Sequence, residues 1–508
     1  MKKVLFVPLD ERPCNYDFPY LLAKGTDVDL LRPPIELMGD MKRPGDTEGL
    51  WRWLLERAGE ADGAILSLDT LLYGGIIPSR LHDMTTEQGA EKLRRLRDLK
   101  RKRPELKLFA FHLIMRCPTY SSSEEEPDYY ADWGAEIHRI GRLRHLEQLG
   151  LISGEERREL QELDRRLPAD VLADYLNRRA VNTSLNRLAL EYVADGTIDF
   201  LIVPQDDSAP YGWTALDQRM IRAAIAELGI ELRTYMYPGA DEVGCTLLAR
   251  MVNAFHGRTP AVYPRFSSRK GPFLIPSYED RMFDESFKYQ VTAAGGIVVD
   301  SMNDADLAML VNLPGEKMTE AAYQPAATAG YDVMRNVTEL VEFGDAAMRR
   351  WGKPLAVADV AYANGGDLQL VRLLREKGLL FRLAGYAGWN TSSNTLGTVI
   401  AQSMLYLIYG DTNEHRDFLA LRYAEDAGYC SHVRKLVTAG PVAERGYTRE
   451  KVDGQQGEIA AIVREHLETF VRERIDGAGY RVVIDSCRLP WNRMFEVGLS
   501  VRCVAEET

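Results

Sequence analysis

The chain has no CxxC pair. Its six cysteines, Cys14, Cys117, Cys245, Cys430, Cys487 and Cys503, stand far apart. That spacing excludes zinc-ribbon and thioredoxin-type sites and fits free thiols packed as small core residues in a reducing cytosol. Histidine is scarce, with 8 in 508 residues. Only His112 sits at the end of an apolar run, so a histidine-built metal centre is not expected. GxGxxG after the first apolar run, GxxxxGK[ST], HExxH and GxSxG are all missing. Their absence removes the dinucleotide fingerprint, the P-loop, the zincin helix and the nucleophile elbow. No apolar run approaches the ~20 residues that a membrane helix needs, and Asp10 and Glu11 interrupt the opening "MKKVLFVPLDERP" too early for a signal peptide. Positive charge is in deficit, with 63 Lys and Arg against 75 Asp and Glu, a net charge of -12. Such a field repels nucleic acid and anionic membranes. The expectation is a cytoplasmic protein with no nucleic-acid partner, no membrane partner, no cofactor and no metal; nothing in the sequence sets an oligomeric state.

What the chain does have is a series of continuous apolar runs. They include "VLFVPL", "VDLLRP", "GAILSLD", "LKLFAFHLIMR", "DFLIVPQDD", "ELRTYMYPG" and "AVYPRF" in the first half, with helical patterns between them. Strands buried on both faces read this way, and helical crossovers are what parallel strands require. The spacing predicts an α/β catalytic domain over residues 1–400 with a (β/α)8-barrel-like parallel core. A polar helical insertion spans 124–196, and a mostly helical α+β region follows over 401–508, ending in two pieces close enough to pair antiparallel. Two Rossmann-like α/β lobes are the alternative. No internal sequence repeat is apparent. In the insertion, Arg178, Arg179, Asn182 and Asn186 fall within two helical turns and are expected to form a solvated face.

In parallel α/β folds, ligands bind outside the carboxyl ends of strands. Almost every apolar run here is followed by charged or amide groups. Asp10, Glu11 and Arg12 follow the first; Asp69, Tyr73 and Arg80 the third; His112 and Arg116 the fourth. Gln205, Asp206 and Asp207 come next, then Asp241 and Glu242, Arg265, Asn312, Asp359, Asn364 and Asp367, and finally Trp389 and Asn390. The adjacent Asp206 and Asp207 stand in "PQDDSAPYG", rich in turn formers, so both can reach one pocket. Two carboxyls held close cannot both ionise easily, and one becomes an acid while the other stays a base. Glycosidic cleavage needs that division: one group protonates the leaving oxygen and the other stabilises charge at the anomeric carbon. Asp206, Asp207 and, in reserve, Glu242 are the candidate catalytic residues. Asp10, Arg12, Asp69, Tyr73, Arg116, Tyr211, Trp389 and Asn390 are the candidate substrate-binding residues, with Trp213, Tyr235 and Tyr237 as further aromatic walls.

The blocks "VPLDERPCN", "SLDTLLYGG", "PQDDSAPYG", "GADEVGCTLLAR" and "GYAGWNTSSNTLG" resemble the signature of a bacterial family catalogued as a domain of unknown function, over almost the whole chain. A second similarity, confined to the Asp pair and the strand count, is to O-GlcNAcase-type β-N-acetylhexosaminidases. Those are barrels with an Asp-Asp pair after the fourth strand. It implies that Asp206 orients the substrate's acetamido group and Asp207 is the acid/base, with "VDLLRP" an excursion from the strand count. That family's tryptophan and asparagine pattern is not reproduced, and Trp389 and Asn390 would take its place. The reading is a glycoside hydrolase acting on a small carbohydrate, an amino sugar in the case of that similarity. A metal-dependent hydrolase or phosphoryl-transfer enzyme, using Asp10, Asp69, Asp206 or Asp207 as ligands, is one alternative. A non-enzymatic sugar-binding protein is the other.

Overall fold

Apolar runs flanked by turn residues become strands because burial on both faces removes the most apolar surface from water. In the computed structural model, which describes residues 1–506, the first of these runs is β1 (Lys2–Val7). It is followed by β2 (Val28–Leu31), β3 (Gly63–Ser67), β4 (Lys107–Phe111), β5 (Phe200–Gln205) and β6 (Thr234–Pro238). They form a six-stranded sheet in the order β2-β1-β3-β4-β5-β6. From β1 through β3, β4 and β5 to β6 the pairing is parallel, and every residue of β3 and β5 is buried.

The second half builds β7 (Ala261–Phe266), β8 (Ile297–Val298), β9 (Leu307–Asn312), β10 (Thr319–Glu320), β11 (Leu355–Asp359), β12 (Tyr362–Ala363) and β13 (Gly385–Ala387). Five of them form a parallel sheet in the order β13-β11-β9-β7-β8; β10 and β12 pair apart from it. Counted from its own first strand, this sheet has the order 2-1-3-4-5. The first sheet has the same order with one strand added. That is an order of doubly wound α/β sheets. The chain therefore repeats a topology that its sequence does not repeat.

These sheets are open, with edges at β2 and β6 and at β13 and β8. The expected closed (β/α)8 barrel is not formed among the described residues. A barrel needs each new strand to add on the same side until the last meets the first. Here "VDLLRP" is no excursion: as β2 it takes one side of β1 while β3 takes the other, and that choice fixes an open sheet.

Two compact units result. The first comprises Met1–Glu11, Asp29–Gly244 and Tyr278–Asp280; the second comprises Arg12–Val28, Cys245–Ser277 and the chain from Arg281 onward. The short return Tyr278–Asp280 is tied into the first unit. The Ser208 N–H donates to the Tyr278 carbonyl at 2.9 Å, and Gln205 Nε2 donates to Asp280 Oδ2 at 3.1 Å. In the second unit, β14 (Tyr480–Arg488) and β15 (Gly498–Ala505) form the antiparallel pair expected near the end of the chain, with a bulge between Ile484 and Ser486. No helix among the described residues is long and apolar enough to cross a membrane.

Between β4 and β5 the polar stretch folds as three helices, Tyr130–Gln148, Gly154–Arg166 and Ala169–Ala194. They share a small core of Ile137, Ile140, Leu143, Leu160, Leu163 and Trp213. Ser153 starts the second helix in a reciprocal capping box with Glu156. On the third helix the expected solvated polar face is instead buried: Arg179, Asn182 and Asn186 are each less than a tenth exposed. The reason lies in the strand they cover, described next.

Candidate functional site

After β4 the chain stays extended alongside β5. The N–H groups of His112 and Ile114 donate to Ile202 O (3.1 Å) and Pro204 O (2.9 Å). This extension carries Arg116 to the end of β5, where Asp206 and Asp207 sit. Its carbonyls need donors, and the third insertion helix supplies them. Arg179 donates to Met115 O at 2.8 Å and Arg116 O at 3.0 Å, and Asn186 Nδ2 donates to Leu113 O at 3.0 Å. Buried carbonyls left without partners are costly, so the polar residues turn inward.

At the end of β5 the extended run breaks. Asp207 has a left-handed backbone, φ 37, a conformation that Asp adopts more readily than most residues. Asp206 Oδ2 accepts from Arg80 Nη2 at 2.7 Å, and Asp207 Oδ2 accepts from Arg116 Nη1 at 3.2 Å. Glu125 and Glu126 join the two arginines. Arg80 Nη1 reaches Glu125 Oε2 at 3.1 Å and Glu126 Oε1 at 3.3 Å. Arg116 reaches the same two oxygens at 2.9 and 2.8 Å. Four carboxyls thus share two guanidiniums, and Glu126 Oε2 is buried with no hydrogen-bond partner. Burial, and then the charge of Asp206, raise the Asp207 carboxyl to about 6, against the pull of Arg116 and Arg80. Its side chain keeps 35% exposure, while that of Asp206 keeps 12%. Asp207 is therefore the member of the pair that a solute can reach.

A second buried group lies at the ends of β3 and β4. Ser67 caps the helix Leu68–Tyr73 by accepting from Thr70 N. The Thr70 hydroxyl donates to Pro8 O and Leu9 O at 2.7 and 2.8 Å, which ties β3 to the end of β1. In this strand order, β1 and β3 flank the switch point where doubly wound sheets bind ligands. Asp69 accepts from Leu113 N at 3.0 Å and lies 3.7 Å from His112 Nε2. Burial raises the Asp69 carboxyl to about 8 and lowers His112 to about 3, so both are neutral at pH 7. The Tyr73 hydroxyl and both His112 nitrogens are buried without a hydrogen-bond partner. The Tyr73 ring stacks on His82 with centroids 4.3 Å apart.

The remaining candidates have varied surroundings. Asp10 is buried just beyond the end of β1. Glu242 is fully buried, and its Oε2 accepts from Ala240 N at 2.9 Å, bracing the turn before the helix Val243–His256. Tyr211 packs edge-on against His145 with centroids 5.7 Å apart. Two expected walls are core residues: the Trp213 indole donates to Ile137 O at 2.9 Å, and Tyr237 is fully buried; Tyr235 is half-buried and packs edge-on to Phe200. Arg12, Trp389 and Asn390 belong to the second unit. There Arg12 lies 4.7 Å over the Trp491 ring and 3.5 Å from Glu496, and Trp389 donates to Thr398 Oγ1 at 3.2 Å.

The second unit has its own carboxyl cluster at strand ends. Asn312 Nδ2 donates to Asp359 Oδ1 and Asp367 Oδ2, both at 3.0 Å. Tyr386 donates to Asp359 Oδ2 at 3.1 Å, and Arg422 donates to Asp426 Oδ1 at 3.0 Å. Burial pushes Asp359 and Asp426 upward, the first further by the charge of Asp367 and the second against the pull of Arg422. Among the described residues, no group of three or more His, Cys, Asp or Glu is placed to hold a metal ion. A search of curated proteins found no match. The model of a family described as "Protein of unknown function (DUF4127)" matches residues 4–500, and the chain belongs to that family.

Proposed function

We propose that the protein is a hydrolase of small glycosides in which Asp207 is the general acid and Asp206 its partner. The observation that carries this reading is the unequal pair at the end of β5. Asp207 is reachable and holds its proton to about 6, whereas Asp206 is enclosed and paired to Arg80 at 2.7 Å. A carboxyl raised to about 6 keeps a protonated fraction near neutral pH that can donate to a leaving glycosidic oxygen, and a neighbouring carboxylate favours the positive charge that grows on the sugar. If the sugar carries an acetamido group, Asp206 is the residue to orient it. Arg80, Arg116, Glu125 and Glu126 position the pair.

The test is turnover of a panel of aryl glycosides, including an aryl N-acetyl-glucosaminide, by the full chain and by Asp207→Asn. Hydrolysis by the parent and its loss in a folded variant are expected. A variant as active as the parent, or sugar binding without turnover by the parent, overturns the reading. Loss of turnover with EDTA and its rescue by magnesium would replace it with metal-assisted hydrolysis.

A further inference from the structure

A buried carboxyl is costly, and an amide accepts the same backbone hydrogen bond at less cost. Asp69 is nevertheless 2% exposed and accepts from Leu113 N at 3.0 Å. The bond has a geometric origin. The N–H groups of His112 and Ile114 donate to β5. In an extended chain the Leu113 N–H between them faces the other way, where β3 has already ended at Ser67. The Asp69 carboxyl, in the first turn of the helix Leu68–Tyr73, takes the place of the missing strand.

One residue further on, the Ile114 carbonyl accepts from Asp206 N at 3.4 Å. Two residues beyond that, Arg116 reaches Asp207. Arg80, on the turn Pro78–Arg80 that follows the same helix, pairs with Asp206 at 2.7 Å. The chain after β3 therefore grips the end of β5 twice: directly through Arg80, and through Asp69, Leu113 and Ile114. Titratable and charged groups face Asp69 from each neighbouring element. His112 Nε2 lies 3.7 Å away on the extension of β4, and Tyr73, Arg80 and Asp206 interact with Asp69 through charge. His112 is neutral at pH 7 and offers no ion pair. Burial, and with it the Asp206 charge, favours the uncharged form of Asp69 against the pull of Leu113 N–H and Arg80. Asp69 thus serves as a neutral acceptor and adds no further negative charge to the four carboxyls that share Arg80 and Arg116.

We infer that Asp69 is a positioning residue for the Asp206–Asp207 pair, setting through the Leu113–Ile114 backbone how closely the two carboxyls are enclosed. Its value to turnover rests on the acid/base reading of that pair, whereas its geometry is tested without substrate. The experiment is carbon-13 NMR of the full chain with labelled aspartate, following the Asp207 carboxyl, assigned by its loss in Asp207→Asn, against pH. In the parent it should titrate near 6. Asp69→Asn keeps an acceptor for Leu113 N–H and should leave that titration in place. Asp69→Ala removes the acceptor and admits water to the end of β5. It should lower the Asp207 midpoint by about one pH unit, a tenfold change in the balance of acid and base. Asp69→Ser, too short to reach Leu113, should do the same and serves if Asp69→Ala does not fold, as judged by circular dichroism. A folded Asp69→Ala or Asp69→Ser with the parent's midpoint, or Asp69→Asn displaced as far as either, overturns the inference. Collapse of both short variants would make the bond a support of the whole fold and overturns it too. A parent that shows these midpoints but turns over no glycoside would sink the hydrolase reading and leave the positioning role standing.

Discussion

Asp207 combines a left-handed backbone with a carboxyl that keeps its proton unusually long. Asn tolerates the same backbone region, so Asp207→Asn removes the titration and spares the turn. Turnover in that variant should fall by about 10²–10⁴-fold, the usual worth of a positioned general acid, with an unchanged thermal melt. In the parent, the acid form is lost as pH rises through about 6, so kcat/KM should decline on that alkaline limb. The Asp206 charge is the second cause of the Asp207 shift, after burial. Asp206→Asn should therefore move whatever activity remains toward a more acidic limb without returning Asp207 to its ordinary value, and a pH–rate profile checks this. The adjacent pair was legible in "PQDDSAPYG" because turn formers surround it. Glu125 and Glu126 were not legible, since "SSSEEEPD" has the composition of any solvated loop. Only the fold reveals that Arg80 and Arg116 converge on them.

At the level of elements, the insertion helix Ala169–Ala194 is a brace for the extension after β4. Arg179 donates to two of its carbonyls and pairs with Asp217 at 2.5 Å. Arg179→Leu leaves that carboxylate and those carbonyls buried and unpaired, and should lower stability by about 3–5 kcal/mol, read from urea unfolding. A solvated-face arginine would give a change near zero. Helical periodicity told where this helix lies but not which side is inside, because its polar groups are satisfied by backbone more than 60 residues away in sequence. The strands were legible for the opposite reason: β3 and β5 are apolar throughout, and doubly buried strands announce themselves. Their order was not, since whether β2 lies beside β1 or outside the sheet depends on pairings that no local pattern records.

For the molecule as a whole, buried carboxyls set a pH dependence of stability. Asp69 has an ordinary value of 3.8 and is raised to about 8 in the folded chain. Folding therefore favours its protonated form. Its contribution is complete below the unfolded value and is lost as pH rises through about 8. Asp359 and Asp426 are shifted in the same direction by burial. This component of stability should fall between about pH 4 and pH 8, and denaturation midpoints across that range should fall less steeply in Asp69→Asn than in the parent. A slope unchanged by the substitution would mean that Asp69 titrates normally.

The return of Tyr278–Asp280 to the first unit has a practical corollary. These three residues clasp Ser208 and Gln205, the neighbours of Asp206 and Asp207, yet they are encoded more than thirty codons after the rest of that unit ends at Gly244. No single cut in the gene yields an intact first half. A fragment stopped at residue 244 would keep every strand of its sheet and still lose the latch on the loop that carries Asp206 and Asp207.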